Sequence, residues 1–255
     1  MKQDRSGAGF DRYLRTIDIW ALAFGCMVGW GAFVMPGTTF IPMAGPLGTL
    51  IAMGIGTAIM LLIGANFSFL MVHSPGTGGI YSYTKNALGR DHAFLCSWFI
   101  CLSYLTIVFL NSTALFIVVR IIFGDRLKSG YHYSIAGNDI YLKEVGVSIA
   151  ALVIIGILFI TAKSFLQNLL TILSVILLAG IIVIAVICIP HAISGNGFFS
   201  FGSTGVSPGY AVFSIVILAP WALVGFDVIS FDTAHFKVRK RSIKWIVFIS
   251  ILTAG

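Results

Sequence analysis

Long apolar runs separated by short polar breaks dominate this chain. Six runs approach or exceed membrane length, at roughly Ile17–Phe40, Pro46–Val72, Ala93–Phe123, Val145–Ala162, Phe165–Ile189 and Tyr210–Phe231. About 20 apolar residues carry a helix across a bilayer. A further run starts at Ile243 and supplies thirteen residues up to Gly255. The pattern therefore predicts six complete spans and one incomplete one, with the chain forming a piece of something longer. The runs are helix-sized, unlike the short alternating strands of a membrane barrel. The expectation is an all-α integral membrane protein, with a polar tail at 1–16 and a transmembrane domain at 17–255.

Two of these runs are poor material for a straight helix. The first contains Gly25-Cys-Met-Val-Gly29-Trp-Gly31-Ala-Phe33, followed by Pro36. Each interior glycine costs about 1 kcal/mol relative to alanine, and proline costs more. The sixth contains Pro220-Trp221-Ala222-Leu223-Val224-Gly225-Phe226-Asp227. A carboxylate within a span costs a few kcal/mol, which directs Asp227 toward a cavity or a partner. Lipid offers no hydrogen bonds, so backbone broken at membrane depth must line a cavity or bind a solute. Broken first and sixth spans are the spacing that an inverted repeat of five spans produces.

Composition narrows the classes further. Hydrophobic residues make up 58% of 255, charged residues 10%, and the mean hydropathy is +1.00. A soluble domain carries about a quarter charged residues. The net charge of +7 reads as topology and not as a nucleic-acid footprint. With the N-terminus inside, twelve basic residues fall on inner segments: Lys2, Arg5, Arg12, Arg15, Lys85, Arg90, Lys163, Lys237, Arg239, Lys240, Arg241 and Lys244. Four fall outside: Arg120, Arg126, Lys128 and Lys143. That asymmetry predicts a cytoplasmic N-terminus, with the Lys237–Lys244 run as a cytoplasmic anchor or an anionic-lipid site. The N-terminal stretch has no signal-peptide pattern. The four cysteines (Cys26, Cys96, Cys101, Cys188) lie in apolar segments without metal-ligand spacing and read as small buried thiols. No nucleophile–base pair or metal cluster marks an enzyme.

Four stretches resemble the amino acid–polyamine–organocation superfamily of permeases. They are the first-span glycine signature at Gly25–Phe33, the loop Pro75-Gly-Thr-Gly78-Gly79-Ile-Tyr81-Ser-Tyr83 followed by Gly89, Lys163-Ser164 with Asn168 and Thr171, and Trp221–Asp227 with the basic run to Arg241-Ser242-Ile243. They occur in the superfamily's order over essentially the whole chain. The resemblance implies the LeuT-type five-plus-five inverted-repeat fold, with about the first seven spans present. It also implies secondary transport of amino acids or related amines by alternating access, in the cell membrane. The first and sixth spans would rock against a scaffold including the third and fourth.

By that resemblance, backbone amides near Gly29, Trp30 and Gly31 meet the substrate carboxylate, since helix-start N–H groups suit an anion. Carbonyls of Met27, Trp221 and Val224 meet the amine, and the Trp221 ring could cover the substrate. Close helix packing is the competing reading of the glycines, favoured for Gly54, Gly56 and Gly64. Asp227 is either a gating or proton-linked carboxylate or a fixed hydrogen-bond anchor. Asn111 is a further candidate on the third span, and Asn66 reads as packing. The sequence departs from the superfamily twice. Ala234-His235 stands where many relatives carry an acidic pair. Ser174, six residues after Asn168, stands where proton-coupled members often carry lysine. The coupling ion, proton or sodium, stays open, no cofactor or metal is expected, and the oligomeric state is not legible. A permease-fold sensing module of a larger signalling protein is the alternative reading.

Overall fold

The computed structural model describes residues 13–124, 131–135, 138–194, 200–201 and 207–255. The basic residues Lys2, Arg5, Arg12, Arg126 and Lys128 lie outside the described residues, as do 195–199 and 202–206 of the loop before the sixth span. The fold is mostly helical. Among the described residues five helical stretches are long and apolar enough to cross a membrane: Pro36–His73, Arg90–Ser112, Leu142–Thr161, Lys163–Pro190 and Pro208–His235. Thr16–Met27 is a shorter apolar helix.

In chain order the elements are α1 (Thr16–Met27), two wide helical turns at Trp30–Val34 and Pro36–Phe40, α2 (Ile41–His73), α3 (Gly79–Leu88) and α4 (Arg90–Phe123). There follow β1 (His132–Ile135), β2 (Asn138–Tyr141), α5 (Leu142–Thr161), α6 (Lys163–Ser194), α7 (Pro208–Ala222), a 3₁₀ helix (Phe226–His235) and α8 (Lys240–Ala254). Gly45, at φ 72° and ψ 174°, interrupts α2 directly before Pro46. That is where the hydropathy pattern starts the second span. Two elements are additions to the pattern: α3 lies between the apolar runs that end at Val72 and start at Ala93, and an antiparallel hairpin pairs His132 with Tyr141 between those that end at Phe123 and start at Val145.

The chain forms two contact units, Ser97–Leu169 and the remainder. In the larger unit, α2 packs against α7 and α8, and α1 packs against α8 and the 3₁₀ helix. Lipid is as apolar as a leucine side chain, so such seams rely on close packing more than on hydrophobic transfer. A Cβ on Gly56 would overlap Ala219, and one on Gly64 would lie 2.5 Å from Ile251 Cδ1. These two glycines are the packing glycines expected. Gly54 is not, because nothing lies within 4 Å of its missing side chain.

The thiols also differ from expectation. Cys26, Cys101 and Cys188 are exposed and Cys96 is half-buried. Apolar sequence implies shelter from water, and in a membrane helix lipid provides that shelter without burial in protein.

In the smaller unit, Glu144 is fully buried at the start of α5 and takes a two-pronged pair from Arg120, Nε to Oε1 at 2.7 Å and Nη2 to Oε2 at 2.9 Å. Arg120 Nη2 also donates to the Asp139 carbonyl at 2.6 Å, tying the hairpin to the two helices.

Candidate functional site

α1 loses its helix at the glycine cluster. Val28 turns to φ −81°, ψ 81°, while its N–H still donates to the Phe24 carbonyl at 2.9 Å. The Gly29 N–H donates to the Met27 carbonyl, also at 2.9 Å. Helix resumes at Trp30 as π turns, a wide form that occurs mostly as isolated turns and frequently at functional sites. A helix start leaves its first N–H groups without intrahelical partners, which here are those from Trp30 onward.

α7 ends for the complementary reason. Pro220 brings no N–H, Leu223 closes the helix by donating to the Ala219 carbonyl at 3.1 Å, and the last carbonyls of the helix have no following N–H. Gly225 then adopts φ 131°, ψ −20°, a conformation that side-chain-bearing residues rarely take, and its carbonyl accepts from Val228 at 3.2 Å to open the 3₁₀ helix.

The two interruptions meet backbone to backbone. A Cβ on Gly31 would lie 2.7 Å from Ala222 Cα. One on Gly225 would lie 2.5 Å from the Cys26 carbonyl oxygen and 3.1 Å from Met27 N. Only glycine fits at either position. A helix start with spare donors thus stands against a helix end with spare acceptors.

The structure brings most of the expected residues to this junction. Met27 is buried, Val224 is half-buried and Trp221 is 42% exposed. The Trp30 side chain lies outside the described residues. Gly29 differs from expectation, because its amide is engaged by Met27 and the Met27 carbonyl is engaged in return. Asp227 begins the 3₁₀ helix half-buried, just past Gly225. Asn111 belongs to the other unit, exposed on α4, and Asn66 donates to the Leu62 carbonyl of its own helix at 3.2 Å. Ser174 is buried, donates to the Ala21 carbonyl at 3.2 Å, and would lie 3.1 Å from a Cβ on Gly25. Nearby, Thr171 Oγ1 donates to Asp18 Oδ1 at 3.4 Å, so two hydroxyls of α6 hold α1.

A second junction joins the far ends of the same elements, and sequence reasoning missed it. The N–H groups of Tyr13 and Leu14 both donate to the His235 carbonyl at 3.2 Å, and the Lys237 N–H donates to the Leu14 carbonyl at 2.8 Å. The Tyr13 and His235 rings lie 5.4 Å apart, and His235 Nδ1 is 3.5 Å from Asp232. Partial burial, with Asp232 nearby, raises the Tyr13 hydroxyl above its ordinary pKa. Thr233 Oγ1 accepts from Gly76 N at 2.8 Å and donates to Gly76 O at 2.7 Å, pinning the loop before α3. In α3 itself, burial pushes the Tyr83 hydroxyl up to about 12. Among the described residues no group of three or more His, Cys, Asp or Glu side chains is placed to hold a metal.

Comparison with known proteins covers nearly the whole chain. The profile of a family described as "Amino acid permease" matches residues 14–255. Cationic amino acid transporter 4 of Homo sapiens is 27% identical over 262 residues, spanning 96% of this chain and 39% of that protein. The branched-chain amino acid permease BcaP of Bacillus subtilis is 23% identical over 255 residues, 94% of this chain and 51% of that protein. A methylthioribose transporter of Bacillus subtilis is 36% identical over 95 residues, 36% of this chain and 20% of that protein. The chain spans about two fifths to one half of the length of the first two relatives.

Proposed function

The chain belongs to the amino acid permease family, and on that footing we propose that it carries the first part of a secondary transporter of amino acids or related amines. The substrate sits where the first-span break meets the sixth-span break. Its carboxylate takes N–H groups of the turn opened by Trp30 and Gly31, and its amine takes carbonyls at the end of α7, those of Trp221 and Val224 among them. Gly29 and Met27 hold the break in shape, since they bond each other. The supporting observation is the approach of Gly31 to Ala222 and of Gly225 to Cys26. It sets spare donors beside spare acceptors without a side chain between them.

Transport proceeds by alternating access in a LeuT-type five-plus-five arrangement, with the N-terminus cytoplasmic in the cell membrane. The buried Met27 and half-buried Val224 favour a substrate with a neutral or apolar side chain. Ser174 places a neutral hydroxyl, not an ammonium, against α1, so no fixed cation at that seam drives the cycle. Asp227, beside Gly225, is the gating carboxylate. The relatives are transporters by name, which gives the sensing-module reading no support.

The test is uptake of radiolabelled neutral and cationic amino acids by proteoliposomes holding the full-length protein, with and without proton and sodium gradients. Uptake or exchange of at least one is expected. Folded protein that moves no amino acid or amine would overturn the assignment. The variant Gly29→Leu should abolish substrate binding, and unchanged binding would refute the backbone site while leaving transport intact.

A further inference from the structure

We propose that the cations of Lys237–Lys244 form a docking surface for anionic phospholipid headgroups at the membrane boundary. Lys237, Arg239, Lys240, Arg241 and Lys244 are all exposed, and none is ion-paired among the described residues. A basic run that serves only to set topology needs no particular geometry. This one has it.

Its depth follows from the packing of α8 on α2. A Cβ on Gly64 would contact Val247 and Ile251, and one on Gly255 would contact Thr57. The two helices are therefore antiparallel. Both advance 1.5 Å per residue, so continuing the pairing sets Lys240 level with His73, where α2 ends. The cations stand at the end of a membrane-crossing helix, at headgroup height.

The flanking side chains suit the same place. Trp245 is 61% exposed, and Lys244 Nζ lies 5.3 Å from the centroid of the Phe248 ring. Exposed tryptophan beside lysine is the pairing that marks a bilayer boundary. A monoanionic headgroup such as phosphatidylglycerol supplies the missing negative charge. Lys237 also donates its N–H to Leu14, so an occupied surface adjoins the junction at the start of α1. The proposal requires only that α2 and α8 lie in a membrane, and it stands apart from the transport reading.

The experiment is a binding titration of full-length protein in neutral detergent with pyrene-labelled phosphatidylglycerol or phosphatidylcholine, read by energy transfer from tryptophan. Trp245→Phe should remove most of the signal, and an unchanged signal would place the lipid elsewhere. Each cation near an anionic surface multiplies affinity about fivefold, so the triple variant Lys240→Gln, Arg241→Gln, Lys244→Gln should bind phosphatidylglycerol about a hundredfold more weakly. It should then bind the two lipids alike. Binding by the unaltered protein should weaken steeply as salt rises, and millimolar inorganic phosphate should not compete. Equal affinity for both lipids in the unaltered protein, indifference to salt, or a triple variant within threefold of it would overturn the proposal. Full competition by phosphate would assign the surface to a soluble anion instead.

Discussion

Replacing Gly225 with alanine should separate the two interrupted spans. The substitution does two things at once. It imposes φ 131° on a residue with a side chain, and it drives a methyl group to 2.5 Å from the Cys26 carbonyl oxygen and 2.7 Å from its carbon. A sparsely populated backbone conformation costs about 1–3 kcal/mol. Overpacking against an unyielding neighbour costs about 1–3 kcal/mol more. The sum is about 2–6 kcal/mol, enough to lower a thermal midpoint by about 5 °C or more. Two controls divide the sum. Gly89→Ala carries the strain alone, since φ is +91° there and nothing lies within 4 Å. Gly31→Ala carries the clash alone, at 2.7 Å from Ala222 Cα with no unusual φ. Thermal unfolding of the three variants, with amino-acid uptake alongside, should rank Gly225→Ala worst in stability. Gly225→Ala and Gly31→Ala should both lose at least tenfold in uptake, and Gly89→Ala should keep it. If Gly225→Ala matches Gly89→Ala in both assays, the breaks do not touch as described.

Other consequences are as direct. Ser174→Ala removes the hydroxyl that holds the Ala21 carbonyl and should cost about 1 kcal/mol in thermal unfolding without changing the pH dependence of uptake. Thr233→Val strips Gly76 of partners for both its N–H and its carbonyl, and should cost about 1–3 kcal/mol and expose the loop before α3 to proteolysis. Glu144→Gln leaves the partly exposed Arg120 facing a neutral amide and should cost about 1–3 kcal/mol, with unfolding that starts in Ser97–Leu169 by hydrogen exchange. A disulfide between Leu14→Cys and Phe236→Cys, two residues already bridged, should leave uptake within twofold. Abolished uptake on oxidation, restored by reductant, would show that these segments part during the cycle.

The interruptions were legible because they are written in residues with strong local consequences. Gly25, Gly29, Gly31, Pro36, Pro220 and Gly225 each weaken a helix whatever surrounds them. The long apolar helices were legible for the same reason, since length and hydropathy act locally. Which break faces which surface was not local information. Gly31 and Ala222 are nearly two hundred positions apart, and nothing in either segment names the other. Gly54 and Gly56 show the limit most plainly. They are two positions apart on one apolar helix, yet Gly56 receives Ala219 and Gly54 faces open space. The hairpin at His132–Tyr141 was hidden by a polar loop sequence. Its tie, Arg120 with Glu144, had a faint signal in opposite charges at facing ends of consecutive spans.

The two junctions taken together constrain how the larger unit can move. At one end, Gly225 meets Cys26 and Gly31 meets Ala222. At the other, Leu14 is bonded on both sides to the segment His235–Lys237 and is itself 2% exposed. α1 and the 3₁₀ helix are therefore joined before the first and after the last of their turns, and they pack along the length between. Parting them at the far end alone would break three backbone hydrogen bonds, at about 1 kcal/mol each, and uncover Leu14 and Phe236. At the glycine breaks, by contrast, the regular ladder stops, with Val28 to Phe24 and Leu223 to Ala219 as its closing bonds. Rotation at Val28–Gly29 would cost the Gly29 to Met27 bond, one bond against three. In the proposed transport cycle, α1 and the 3₁₀ helix would therefore swing as a single body about the two breaks, a motion that must also part the bonds holding α1 to α6 and α8, Ser174 to Ala21, Thr171 to Asp18 and Trp20 to Thr253. On that proposal the hinge and the substrate site share the same few residues, so a ligand that bridges the breaks would act directly on the angle between the two halves of each span.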